Sequence, residues 1–307
     1  MRIGLIGGET GGAPSVTAIV DDARRAEDEG FAVYSMANIF SHDAIGTLAL
    51  AGAQTSRIEL ATGIVPTYPR HPMAMAQQAL TAQAASGGRF TLGIGLSHQV
   101  VIEGMLGISY DRPARHMREY LNVLMPLLRG ERVQYEGDQY TFRGQLTVPD
   151  AEPVPCLLAA LAPVMLRLAG EVADGTTLWM TGAKTVEEHI APRIQRAASN
   201  AGRPDPRIVC GLPIALTDDP GGARDAAAKQ FENYGRLPSY RAMLDIEGAA
   251  GPEDVAIVGD EAALDAELDR LEASGVTDFV GAPFTVDSDA VERTTAYLAE
   301  RARQRNG

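Results

Sequence analysis

The stretch "GGRFTLGIGLSH", Gly87 to His98, decides how the chain is read. A short apolar run from Phe90 ends in two spaced glycines, Gly93 and Gly95, and then in Ser97 and His98. A dinucleotide-binding loop needs G-x-G-x-x-G with a helix opening at once. Here His98 stands where the third glycine would be, and the following "QVVIEGMLGISY" is not a clean amphipathic helix. The N-terminal "GLIGGETGG" also misses the spacing. The two glycines therefore end a strand for another reason, either a tight turn or the close approach of backbone to a flat ligand.

Working outward, that strand is one of eight. "RIGLIGG", "FAVYSM", "RIELATGIV", "RFTLGIG", "PCLLAAL", "TTLWMTG", "RIVCGLPIAL" and "DFVGAPF" are short apolar runs of the kind buried on both faces. Each is followed by a helical stretch. The first has Val16, Ile19, Val20, Ala23 and Ala26 at helical spacing and stops at Gly30. Ser41 or Asp43 can cap the second, and Pro72 and Pro163 open the third and fifth at the position where a missing N–H costs least. Pro126 should kink the fourth. "VQYEG" and "QYTFRG" read as an inserted hairpin at about 130–155, and a mostly helical stretch from about 220 to 275 forms a second insertion. Eight βα units in 307 residues predict a TIM-type (β/α)8 barrel with insertions after strands four and seven, as one domain over 1–307. A doubly wound open sheet is the rival.

Composition narrows the partners. The net charge of -13 repels phosphate backbones, so nucleic acid is not an expected partner. No basic amphipathic segment points to a membrane, and "MRIGLIGGETGG" is not a signal peptide. Cys156 and Cys210 lie in apolar runs without metal-ligand spacing and read as buried thiols. A cytoplasmic protein acting on a small molecule, without a metal, is expected.

The strand ends supply the candidate chemistry, because a barrel keeps its site at that face. His42 and His98 follow strands two and four, and Glu9 follows strand one as a candidate acid or base. His116 and His189 fall in helices and read as surface or packing residues, and Trp179 and Met180 as barrel filling. No zinc spacing and no nucleophile elbow occurs. "AALAPVMLRLAGEVADG" places small residues before Pro163 and a helix, which is a candidate anion site.

The segment "ATGIVPTYPRHPMAMAQQALTAQAASGGRFTLGIGLSH" resembles the strand 3–helix 3–strand 4 signature of the luciferase-like monooxygenase superfamily, more narrowly its branch dependent on the deazaflavin coenzyme F420. The order of elements agrees from Met1 to about Ala302. The resemblance implies an oxidoreductase that transfers a hydride between coenzyme F420 and a small organic substrate. It also implies a homodimer. Gly63 and Ile64 match a non-prolyl cis peptide that forms a bulge behind the deazaflavin ring. Gly7, Thr62 and Gly95 would lie near it, with Ser97 and His98 lining the mouth. Ala160, Leu161, Ala162 and Pro163, with Thr181 and Gly182, would hold the cofactor phosphate. Where the family carries an Asp-His pair after strand two, this chain has "MANIFSHD". Asn38 falls near that pair and cannot be a general base, which leaves His42 or Glu9 as substitutes beside His98. The alternatives are an FMN-dependent luciferase-like monooxygenase and a deazaflavin- or flavin-binding protein without turnover.

Overall fold

A computed structural model describes residues 1–8 and 14–306. Strand β1 (Arg2–Gly7) precedes α1 (Val16–Glu29), and β2 (Val33–Met36) precedes α2 (Ala44–Gly52). Strand β3 (Glu59–Thr62) and a two-residue β4 (Val65–Pro66) lead to α3 (Pro72–Ala85). Strand β5 (Phe90–Gly95) is followed by α4 (Gln99–Ile102) and α5 (Pro113–Leu128), then by β6 (Val133–Glu136) and β7 (Thr141–Gly144). Strand β8 (Cys156–Leu158) feeds α6 (Pro163–Val172). Strand β9 (Gly175–Trp179) feeds one helical run, made of α7 (Ala183–Thr185), a π-helical turn (Val186–Ile190) and α8 (Ala191–Asn200). Strand β10 (Arg207–Leu216) is followed by α9 (Pro220–Gln230), α10 (Glu232–Arg236), α11 (Pro238–Glu247), β11 (Ile257–Gly259) and α12 (Glu261–Ala273). Strand β12 (Asp278–Pro283) and α13 (Ala290–Asn306) complete the chain.

The parallel pairings run β12-β1-β2-β3-β5-β8-β9-β10 and return to β12, so the sheet closes on itself. That closure makes the fold a TIM barrel and rules out the open doubly wound sheet. Strands β6 and β7 form a separate antiparallel hairpin. Pro126 lies in the last turn of α5, which runs to Leu128.

Register sorts the strand residues into layers. Partners across parallel strands share a face, so Val33, Ala61, Leu157, Val209 and Val280 meet inside the barrel, with Ile6 packed on them. The alternate residues, including Ile3, Tyr34, Leu60, Leu92 and Cys210, pack outward under the helices. At the N-terminal ends of the strands the interior is ionic. Arg2 and Arg207 each pair with both Glu59 and Asp278, forming a ring that spans the barrel from β1 and β12 to β3 and β10. Thr91 donates a further hydrogen bond of 2.7 Å to Glu59.

Helix starts follow the capping chemistry. Ser15, Asp43, Asp219 and Asp260 each accept a first-turn N–H through the side chain. The end of α1 is tied down differently. The Glu27 carboxylate accepts the N–H groups of Ser56, Arg57 and Ile58 at 2.9, 2.7 and 2.9 Å, fixing the turn into β3. Burial alone would raise this carboxyl, but the three N–H donors overcome it and hold it at about 2 instead of 4.5. A depressed carboxyl stabilises the fold above its unfolded pKa and loses that contribution as pH falls through the folded value. Wild-type melting temperature is therefore expected to drop between pH 4.5 and about 2 more steeply than that of Glu27→Gln. Parallel curves from thermal melts across that range would remove this tie from the account.

Candidate active site

The C-terminal mouth begins at an irregularity in the sheet. Strand β3 pairs with β5 only at Leu60–Phe90 and Ala61–Thr91, and pairing resumes through β4 at Val65–Ile94 and Pro66–Gly95. Between them the chain bulges, and the Gly63–Ile64 peptide is cis. The bulge turns to β2 for its bonds. Gly63 N–H donates to Met36 O at 2.9 Å, and Asn38 N–H donates to Ile64 O at 3.1 Å. Thr62 replaces the missing rungs toward β5, since its hydroxyl donates to Gly93 O and accepts from Gly93 N, both at 2.8 Å.

This geometry answers the question raised by the glycines. A Cβ at Gly93 would fall on the Thr62 carbonyl oxygen. At Gly95 it would lie 3.0 Å from Ile64 Cδ1 and 3.1 Å from Ala159 Cβ. Both positions are small first because the bulge crowds them. The Thr62 hydroxyl is likewise committed to Gly93 and faces the outer layer, as a register partner of Met36. Gly7 also faces outward, because a Cβ there would strike the Tyr34 ring and hydroxyl. That side of Gly7 packs under α1, where Tyr34 Oη donates to Asp22 at 2.9 Å.

The loop after β2 is held by its own candidate residues. Asn38 Oδ1 accepts from Ala44 N at 3.0 Å and from Arg70 Nη2 at 3.4 Å, and Arg70 also pairs with Asp43 at 2.8 Å. His42 Nε2 donates to Pro14 O at 2.7 Å, so this imidazole ties two mouth loops together. Glu9 lies outside the described residues.

Ser97 and His98 stand at the rim after β5. Ser97 takes a left-handed backbone, with φ of 59°, and its carbonyl accepts from Tyr110 Oη at 3.3 Å. Burial lowers the His98 pKa, which favours a neutral ring, and the ring lies 5.7 Å from that of Tyr240 on α11. His116 and His189 are not surface residues. His116 is buried, stacked at 3.9 Å on Tyr68 and bonded to Thr67 Oγ1 at 2.9 Å; burial pushes its pKa down to about 4. His189, on the π-helical turn, donates from Nε2 to Leu161 O at 2.7 Å.

The two proposed halves of the phosphate site differ. At α6 the N-cap is Ala162, with φ of -73° and ψ of 148°, and no side chain caps the first turn. Ala162 and Pro163 are exposed, Ala160 is buried and Leu161 half-buried. The N–H groups of Val164 and Met165 therefore lack a side-chain cap, and the His189 bond holds the preceding carbonyl aside. The α7 turn is already filled. Glu247 accepts from Lys184 N at 3.3 Å and from both Thr185 N and Thr185 Oγ1 at 2.7 Å. Its carboxylate also occupies the space a Cβ at Gly182 would need. Thr181 is fully buried, its hydroxyl donating to Trp179 O at 3.1 Å. A carboxylate already seated at this turn opposes a phosphate beside Thr181 and Gly182, so of the two halves α6 offers the barer N–H groups. Nothing local in the sequence ties Glu247 to Thr185, 62 residues earlier.

Trp179, at the end of β9, fills the barrel as its sequence reading expects. It shares the interior face with its register partner Gly211, at the top of the barrel. Its indole nitrogen is shielded from solvent and without a hydrogen-bond partner among the described residues. Among those residues, no cluster of His, Cys, Asp and Glu could hold a metal ion, and no helix is long and apolar enough to cross a membrane.

Comparison with known proteins places this geometry. The luciferase-like monooxygenase family model matches residues 3–303. The chain is 32% identical over 223 residues to an uncharacterized protein of Mycobacterium tuberculosis, a match spanning 68% of this chain and 66% of that one, just under two thirds of the relative's length. It is 28% identical over 278 residues to the 5,10-methylenetetrahydromethanopterin reductase of Methanolobus tindarius, covering 86% of this chain and 84% of that one. The solved coenzyme F420 dependent tetrahydromethanopterin reductase from Methanopyrus kandleri superposes with a TM-score of 0.82 at 23% identity, over 99% of this chain and 98% of that one. With a family match over nearly its whole length and a closed barrel whose third strand breaks at its C-terminal end, this chain is an enzyme of the luciferase-like monooxygenase family.

Proposed function

We propose that the protein is an oxidoreductase that moves hydride between coenzyme F420 and a small organic substrate. The observation that carries this reading is the bare first turn of α6, whose N–H groups no side chain caps. Uncapped N–H groups at a helix start form a ready anion site. The whole-chain likeness to a solved F420-dependent reductase supports the same reading. When bound, the deazaflavin supplies a two-electron hydride at its C5. The protein's part is binding and orientation. The α6 turn holds the phosphate, with His189 fixing its preceding peptide. The Gly63–Ile64 bulge backs the ring, and the neutral His98 borders the substrate side.

Ala162→Asp separates this role from folding. The cap position already has the extended backbone that an N-cap aspartate adopts. The new carboxylate would bond the free N–H groups and raise stability by about 1 kcal/mol. The same carboxylate would repel the phosphate, and F420 affinity is expected to fall at least tenfold. Thermal melts and fluorescence titration with F420 and with FMN check both signs. Unchanged F420 affinity would move the phosphate elsewhere. Tighter binding of FMN than of F420 by the wild type would replace the cofactor.

A further inference from the structure

The helix start that follows β9 is filled by a charge from a distant part of the chain. Glu247 is the last residue of α11, ahead of Gly248, which takes a left-handed φ of 83°. A carboxylate at a helix C-terminus opposes that helix's dipole, so α11 gains nothing from it. Its oxygens instead meet the N–H groups of Lys184 and Thr185 and the Thr185 hydroxyl. Among the described residues no cation pairs with it, so neutral donors satisfy the carboxylate and its charge is not cancelled.

This carboxylate sits close to the first turn of α6. Thr185 and His189 are four residues apart on one helical run, about 6 Å along its axis. His189 Nε2 reaches Leu161 O, the carbonyl one residue before the α6 N-cap. The π-helical turn that aims His189 there is built into the sequence. Ala191 N–H bonds back to Val186 O, and Pro192 brings no N–H of its own. Arg193 Nη1 then takes the carbonyls of Glu188 and His189 at 3.3 and 2.8 Å. Two helix starts therefore share one notch beyond the ends of β8 and β9. The start of α6 is bare, and the other already holds an anion that belongs to the protein.

We propose that Glu247 is a specificity-determining residue, whose charge lets the notch accept a phosphodiester and penalises a phosphomonoester. This inference rests on the reading that the α6 turn holds the cofactor phosphate. A phosphodiester carries one negative charge, whereas a phosphomonoester carries about 1.5 to 2 at pH 7. Like charges in a part-buried notch repel more strongly than in water, so the monoester suffers more from the same carboxylate. Coenzyme F420 carries its phosphate as a diester and FMN as a monoester. One side chain then separates the two cofactors by charge, without touching either ring.

The test uses three ligands that share the deazaflavin ring and ribityl chain. One has no phosphate, one ends in a phosphomonoester, and one ends in the methyl phosphodiester. Fluorescence titration of the wild type is expected to rank the diester about tenfold tighter than the monoester. Glu247→Gln keeps the shape and removes the charge. It should tighten the monoester about tenfold and the diester about threefold, and leave the phosphate-free ligand unchanged. A Glu247 that only supports the fold would shift all three ligands together. A wild type that binds the monoester as tightly as the diester overturns the proposal, and so does an unchanged ratio of the two in Glu247→Gln. If Glu247→Gln fails to fold, the wild-type ranking still decides. If all three ligands bind alike, the phosphate meets no protein group, and the α6 reading falls together with the proposal. If the wild type binds only the flavin counterparts, which are riboflavin, FMN and the methyl ester of FMN, the F420 reading fails, and the same ranking among those three decides the role of Glu247 separately. Binding of none of the six overturns both.

Discussion

Gly93→Ala is expected to lower stability by about 3 kcal/mol, at the upper end for overpacking, or to prevent folding. The new methyl group would collide with the Thr62 carbonyl oxygen, a backbone atom that cannot rotate aside. The Thr62 hydroxyl deepens the loss, because it bridges both the N–H and the carbonyl of Gly93 at 2.8 Å and must move with them. Gly95→Ala is the internal control. Its methyl would meet only side-chain carbons of Ile64 and Ala159 at 3.0–3.2 Å, and these can yield by a few tenths of an ångström. That variant should lose about 1 kcal/mol. Urea unfolding of the two variants side by side checks the ordering. Equal losses would mean that the bulge is softer than its geometry indicates.

Asp278→Ala should have an effect of similar size at the opposite end of the barrel. Asp278 is 2% exposed and neutralises both Arg2 and Arg207. Removing it leaves two guanidinium groups sharing Glu59, and breaking a buried pair in this way typically costs about 3–5 kcal/mol. The acid dependence gives a second readout. Burial would raise the Asp278 carboxyl, but Arg207 and Arg2, with the Thr277 hydroxyl, outweigh it and hold the group below the ordinary range. Its contribution is therefore complete above the unfolded pKa of about 3.9 and fades as pH falls through the lower folded value. Wild type should lose stability in that window and Asp278→Ala should not. Urea midpoints measured from pH 6 downward test this, and a variant as acid-sensitive as wild type would remove Asp278 from the acid dependence.

The barrel was legible because its evidence is local. Eight apolar runs and the caps between them, Asp43 before α2 and Pro163 at the start of α6, are written in neighbouring residues. The mouth was less so, because its roles are set by residues distant in sequence. "LGIGLSH" reads equally as a turn or a ligand approach until Thr62 and Ile64 are seen against Gly93 and Gly95. Nothing near "MTGAK" announces that Glu247 will cap it. A helical histidine such as His189 gives no local sign of the carbonyl it will hold.

The ionic ring of Arg2, Glu59, Arg207 and Asp278 has a kinetic consequence. It closes the barrel at its base, beneath the packed layer of Val33, Ala61, Leu157, Val209 and Val280, which leaves the C-terminal mouth as the face that can take ligands. With one open face, whatever lies deepest must arrive first and depart last. In the proposed reaction the cofactor ring lies against the bulge and the substrate enters over it. Turnover is then compulsorily ordered, and a saturating substrate analogue should trap the cofactor and slow its release.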